Sequence, residues 1–91
     1  MENEKLFITF HEKEDILRFV AVCGRYDDAI DIRVGKQTTD AKSIMGMLLL
    51  QLDQSLEIEY GCYDDENNYD DFRNEILKEF DIRIADAGNG K

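Results

Sequence analysis

A chain of 91 residues, 43% of them hydrophobic, is one domain's worth of sequence and can bury a modest core without disulfide or metal support. Its 21 acidic residues outnumber 11 basic ones, a formal net charge of −10 that repels nucleic acid and anionic membrane surfaces but suits a basic protein partner. The acidic start Met1-Glu2-Asn3-Glu4-Lys5, with no apolar stretch behind it, predicts no signal peptide. The longest apolar run, Ile44 to Leu50, is far too short to span a bilayer. Cys23 and Cys62 fall in apolar patterns far apart, as expected for reduced core residues of a cytoplasmic protein, and no cysteine motif suggests metal or redox chemistry, nor is a cofactor expected.

In chain order, residues 5–10 (Lys-Leu-Phe-Ile-Thr-Phe) place Leu6, Ile8 and Phe10 on one face at a period of two, which predicts a first strand. From Lys13 to about Tyr26 the period becomes helical: Ile16, Phe19, Val20, Cys23 and Tyr26 share one side, and Glu12, Glu14 and Asp15 crowd the end where a helix dipole favours negative charge. Residues 29–34 alternate again, with Ile30, Ile32 and Val34 inward and Asp31 and Arg33 outward. Gly35-Lys36 supplies a tight turn, and residues 36–40 are expected as a polar partner strand of a hairpin.

A helix is expected from about Ala41 to Leu52. It is apolar on more than one side, with Met47 and Leu50 one turn apart and Ile44, Met45 and Leu48 marking another surface. A single helix in so small a domain rarely buries its whole circumference, so one face is expected either to remain exposed for a partner or to be wrapped by the core. Thr39 or Asp40 is the expected N-cap, which would set Ser43 in the first turn, with its hydroxyl near the positive end of the dipole. A phosphate on Ser43 would then meet free amides and Lys42.

Residues 55–62 form the clearest strand, with Leu56, Ile58, Tyr60 and Cys62 inward and Glu57 and Glu59 outward. The acidic stretch Asp64-Asp65-Glu66-Asn67-Asn68 lacks the ordered alternation and glycine of a calcium loop, so no metal site is expected there. A helix follows over roughly residues 66–80, with Tyr69, Phe72, Ile76, Leu77 and Phe80 at helical spacing. Ile82 and Ile84 alternate, which admits a short extra strand or packed extension, and the glycines of Ala87-Gly88-Asn89-Gly90-Lys91 predict a partly flexible end. The order βαββαβα, with strands buried on one face only, predicts an α+β fold in which three helices cover one face of a four-stranded antiparallel sheet.

That order, together with Gly35-Lys36, Ala41-Lys42-Ser43-Ile44-Met45-Gly46-Met47-Leu48 and the strand around Leu56-Glu57-Ile58-Glu59, resembles HPr, the small phosphocarrier of the bacterial sugar phosphotransferase system. The resemblance implies an HPr-like open-faced β-sandwich over residues 1–80, with 81–91 as a C-terminal extension. It also implies that Ser43 takes the place of the serine phosphorylated by the family's dedicated kinase, and that Ile44, Met45 and Leu48 match the apolar patch through which such proteins dock partners.

The first third departs from the pattern. Phosphocarriers have a histidine at the start of the first helix, in a pattern like Leu-His-Thr-Arg-Pro-Ala; here Glu12 takes the histidine position, Glu14 the arginine position and Asp15 the proline. Phosphohistidine transfer needs a neutral, nucleophilic nitrogen and positive donors for phosphate oxygens, and carboxylates supply neither. Because the preceding loop is shorter than the family's, a one-residue slip would make His11, the only histidine, a shifted phosphoacceptor, with Lys13 standing in for the arginine.

Three functions follow. The first is a non-catalytic regulatory protein of carbon catabolite control switched by phosphorylation of Ser43, its implied partners an HPr kinase/phosphorylase and a transcriptional regulator. The second is a phosphocarrier using His11 with phosphotransferase enzymes. The third is an interaction module outside that system, a monomer or weak dimer. No nucleophile–base pair, glycine-rich phosphate loop or metal-ligand cluster points to an enzyme in its own right.

Overall fold

The computed structural model describes residues 4–61 and 66–86. Cys62, Asp64 and Asp65 of the acidic stretch, and the glycine-rich end lie outside the described residues. The elements run β1 (Glu4–Thr9), α1 (Lys13–Cys23), β2 (Ala29–Val34), β3 (Gln37–Asp40), α2 (Ile44–Met47), β4 (Ser55–Gly61), α3 (Glu66–Glu79) and β5 (Asp81–Asp86). All neighbouring strands are antiparallel, in the order β3-β2-β4-β1-β5. The sheet thus has five strands rather than four: Ile82 and Ile84 continue the alternation of β1, opposite Ile8 and Leu6, so β1's outer edge is paired instead of open.

Alternation sorts the sheet into two faces. Leu6 and Ile8 of β1, Ile30 and Ile32 of β2, and Leu56 and Ile58 of β4 are buried under the helices. On the other face Glu57 and Glu59 face Lys5 and Arg33, with Arg33 donating to Glu59 at 2.8 Å, and the Arg83 guanidinium lies 4.7 Å over the Phe7 ring. Val34, expected inward, is 37% exposed at the strand's end, beyond the helices' cover.

The helices meet the sheet through aromatic rings. Phe19 sits edge-on to Phe10, Phe72 and Phe80, with centroids 5.5, 6.1 and 5.5 Å away, and Phe10, Phe19 and Phe72 are fully buried. α1 buries Ile16, Phe19, Val20 and Cys23 as its spacing predicts, and Val22 as well. It ends earlier than Tyr26, because the amides of Arg25 and Tyr26 reach back three residues to Val22 and Cys23 in a tightened last turn. Tyr26 still packs on the core and donates its hydroxyl to Glu75 at 2.9 Å, and Arg25 pairs with the same carboxylate, so α1 is tied to α3.

The middle helix differs most from expectation. The Ala41 amide extends the β2–β3 ladder by donating to the Ile30 carbonyl at 2.9 Å, and the Asp40 carboxylate accepts the Lys42 amide at 2.9 Å. Those three residues are therefore held by the hairpin and a local turn, and they cannot also begin a helix. At the far end, the amides of Leu49 and Leu50 make three-residue bonds to Gly46 and Met47, a tightened turn that ends the α-helical path. No helix among the described residues is long and apolar enough to cross a membrane.

Candidate functional site

Shortening α2 changes the position of Ser43. It is not three residues into a helix capped by Thr39 or Asp40; it is itself the N-cap, in extended backbone, with Oγ accepting a long bond of 3.4 Å from the Gly46 amide. Lys42 points elsewhere: its Nζ donates to the Tyr26 carbonyl at 2.5 Å, fastening the segment before α2 to the end of α1. Ser43 is half-buried.

The apolar run after Ser43 divides by helical direction. Met47 is fully buried and anchors the turn, and Leu48 and Leu50 pack against the core from partly buried positions. Ile44, Met45 and Leu49 point outward, 51%, 81% and 84% exposed. Of the expected patch, Ile44 and Met45 are at the surface and Leu48 leans inward. Leu49, not singled out in the sequence, is the most exposed of these. It lies in a run of three leucines, and only the end of α2 determines which of them turns outward.

The start of α1 is the second locus. Glu12 is the N-cap, and the Asp15 carboxylate accepts the amides of His11 and Glu12 at 3.1 and 3.2 Å. Burial pushes the Asp15 carboxyl up, but the bonds from Arg18 and from those two amides outweigh it and hold it below its ordinary value. This end of the helix is thus capped by the chain's own carboxylate, where an incoming phosphate would otherwise be held.

His11 lies between two further carboxylates. Nδ1 is 2.9 Å from Asp53 Oδ1 and Nε2 is 2.9 Å from Asp81 Oδ2, with the ring half-exposed. Hydrogen bonds that the ring donates to Asp81 first and Asp53 second raise its pKa above the ordinary histidine value. A nucleophilic imidazole needs a free lone pair, and here both nitrogens face carboxylate oxygens. Asp53 and Asp81 are 42 and 70 residues away in sequence, so no local pattern announces either contact. Lys13, the expected substitute for an arginine, opens α1 among Glu12, Glu14 and Asp15. Among the described residues no group of His, Cys, Asp and Glu is arranged to hold a metal ion.

Between α3 and the inner face of β1 and β4 lies a groove of 420 Å³ lined by Glu4, Leu6, Ile58, Tyr60, Tyr69, Asp70 and Arg73. Several of its polar groups are already paired. Arg73 Nε donates to Glu4 at 2.6 Å, the Tyr69 hydroxyl donates to the same carboxylate at 3.1 Å, and the Tyr60 hydroxyl donates to Asp28 at 2.7 Å.

Three comparisons bear on this geometry. Comparison with curated protein sequences returns no match. Among solved structures, the crystal structure of HPr-C-His from Thermoanaerobacter tengcongensis is similar with a TM-score of 0.64 and 20% identity, over 86% of this chain and 94% of that one, a likeness of fold. The family model described as the PTS HPr component phosphorylation site matches residues 16–69, more than half of the chain, a stretch that contains Ser43 and α2 and begins after His11 and Glu12. On that match, the chain belongs to the HPr family of the phosphotransferase system.

Proposed function

We propose that this HPr-family chain is a regulatory protein of the phosphotransferase system rather than a histidine phosphocarrier, acting in the cytoplasm without catalysis of its own. The observation that carries the reading is the juxtaposition in one short segment of the half-buried Ser43 hydroxyl and the outward-facing Ile44, Met45 and Leu49. In the proposed switch, an HPr kinase/phosphorylase transfers the γ-phosphoryl of ATP to Ser43 Oγ. The hydroxyl proton passes to a base of the kinase, and ADP leaves. The product carries close to two extra negative charges beside the apolar side chains, which changes the partner that this surface fits.

A transcriptional regulator with basic groups around an apolar recess suits the modified surface, given a net charge of −10 before any phosphate is added. The arrangement around His11 supports the choice of Ser43. Asp53, Asp81 and Asp15 bring negative charge to the ring and its amide, and all would oppose an incoming phosphoryl group.

The test is intact-mass spectrometry after incubation with ATP and an HPr kinase. One added phosphate, absent in Ser43→Ala, is expected. An unmodified protein, under conditions in which the kinase fully modifies an ordinary HPr, would end the proposal and leave a binding module that uses the same patch for another partner.

A further inference from the structure

The contacts of His11 join three segments that are distant in sequence: the loop from β1 into α1, the 51–54 loop before β4, and the first residue of β5. A neutral imidazole has one N–H and one lone pair. It can donate to only one of two flanking carboxylates and must turn its lone pair toward the other, at a separation of 2.9 Å on each side. Both contacts are attractive only in the imidazolium form.

The two carboxylates are not equally fixed. Asp81 is in register with Thr9 in the β1–β5 ladder, so its backbone is locked. Asp53 lies between α2 and β4 with a φ of 59°, a left-handed conformation uncommon for a residue other than glycine, and its amide donates to the Phe10 carbonyl at 2.7 Å. Four residues before it stands Leu49, the most exposed member of the apolar patch.

We propose that His11 is a proton-operated clasp: protonated, it bridges Asp53 and Asp81 and fastens the 51–54 loop to the sheet, and on losing its proton it keeps Asp81 and releases Asp53. Asp53 faces Nδ1 and Asp81 faces Nε2; Asp15 holds the backbone amides of His11 and Glu12, and Arg18 neutralises part of Asp15 at 3.2 Å. Glu12 and Lys13, of opposite charge, follow His11 in the chain. The carboxylates thus dominate, in keeping with the upward direction of the His11 pKa. The folded-state value lies above the unfolded one, so the stabilisation is complete below the ordinary histidine range and lost as pH rises through the folded value.

The test is an NMR titration of the single histidine together with hydrogen exchange at the Asp53 amide, in the wild-type chain, Asp53→Asn, Asp81→Asn and His11→Gln. Asparagine tolerates the left-handed backbone at position 53, and Asp81→Asn provides an independent variant away from that loop. The expected result is a wild-type midpoint above about 6.5 that falls toward that value in each asparagine variant. After correction for base-catalysed intrinsic exchange, protection of the Asp53 amide should drop as pH rises through the midpoint. In His11→Gln it should show no such step. A midpoint at or below that of free histidine, a midpoint unmoved by both asparagine variants, or unchanged Asp53 protection across the titration would each overturn the clasp.

Discussion

Two methionines two positions apart in α2 offer a test of how the fold separates anchoring from docking. Met47 is 0% exposed and Met45 is 81% exposed, although both belong to the same short apolar run. Truncating a buried methionine to alanine costs about 2–5 kcal/mol through lost transfer energy and the cavity left behind. A loss of about 3 kcal/mol at some 4–8 °C per kcal/mol lowers the melting temperature of a domain this size by roughly 12–24 °C. Met45 has little buried surface to lose, and alanine suits a helix at least as well, so Met45→Ala is expected to stay within about 0.5 kcal/mol of the parent. Thermal unfolding followed by circular dichroism, supported by urea titration, reads both values. In a binding assay with the partner the order reverses, Met45→Ala losing affinity while the protein remains folded. Equal melting temperatures for the two variants, or a loss above about 1 kcal/mol for Met45→Ala, would refute the division of α2 into a buried anchor and an exposed surface.

Three further expectations test other parts of the structure. Gly35 turns the β2–β3 hairpin at a φ of +62°, with open space where a Cβ would stand, so Gly35→Ala should cost about 1 kcal/mol from backbone strain alone, and Gly35→Asn less, in the same denaturation assay. Burial pushes the Cys23 thiol up to about 12, so peptide mapping after alkylation at neutral pH should find Cys23 unmodified in the folded protein and modified in urea. The Arg73 hydrogen bond holds the Glu4 carboxyl below its ordinary 4.5. Its stabilisation is present above that value and lost as pH falls through the lower folded one, so Glu4→Gln should flatten the stability profile below pH 4.5.

How much of the molecule was legible in the sequence depended on whether the information was periodic or long-range. β1, β2 and β4 follow from strict alternation around Ile8, Ile32 and Ile58, and α1 and α3 from helical spacing, because one buried face leaves a repeat that no other structure shares. β5 left only the pair Ile82 and Ile84, which admits a strand but does not reveal the edge that it joins. The start of α2 was misplaced for a different reason. Asp40 and Ala41 have the chemistry of a helix entry, yet their hydrogen bonds are claimed by β2 and by a local turn, so tertiary pairing overrides local preference.

The candidate site divides in the same way. Ser43, Ile44 and Met45 are contiguous and could be singled out as a unit, whereas the choice between Leu48 and Leu49 depends on where the α-helical path gives way to a tighter turn. His11 was identifiable as the sole histidine, but its chemistry is set by Asp53 and Asp81, which nothing local to position 11 encodes. Glu12, read as standing at the family's histidine position, is the N-cap of α1, and the carboxylate of Asp15 closes that end.

The most direct test of the account runs two phosphorylation reactions side by side, each mapped to the residue by tandem mass spectrometry: one with ATP and HPr kinase, the other with phosphoenolpyruvate and the upstream phosphotransferase enzyme. Ser43→Ala and His11→Ala serve as controls. The Ser43 hydroxyl makes only a 3.4 Å cap bond, so its loss should cost no more than about 1 kcal/mol and leave the protein folded. An acid-stable phosphate on Ser43 is expected in the first reaction and none in the second. An acid-labile phosphate from phosphoenolpyruvate that disappears in His11→Ala, with Ser43 unmodified by ATP, would contradict it.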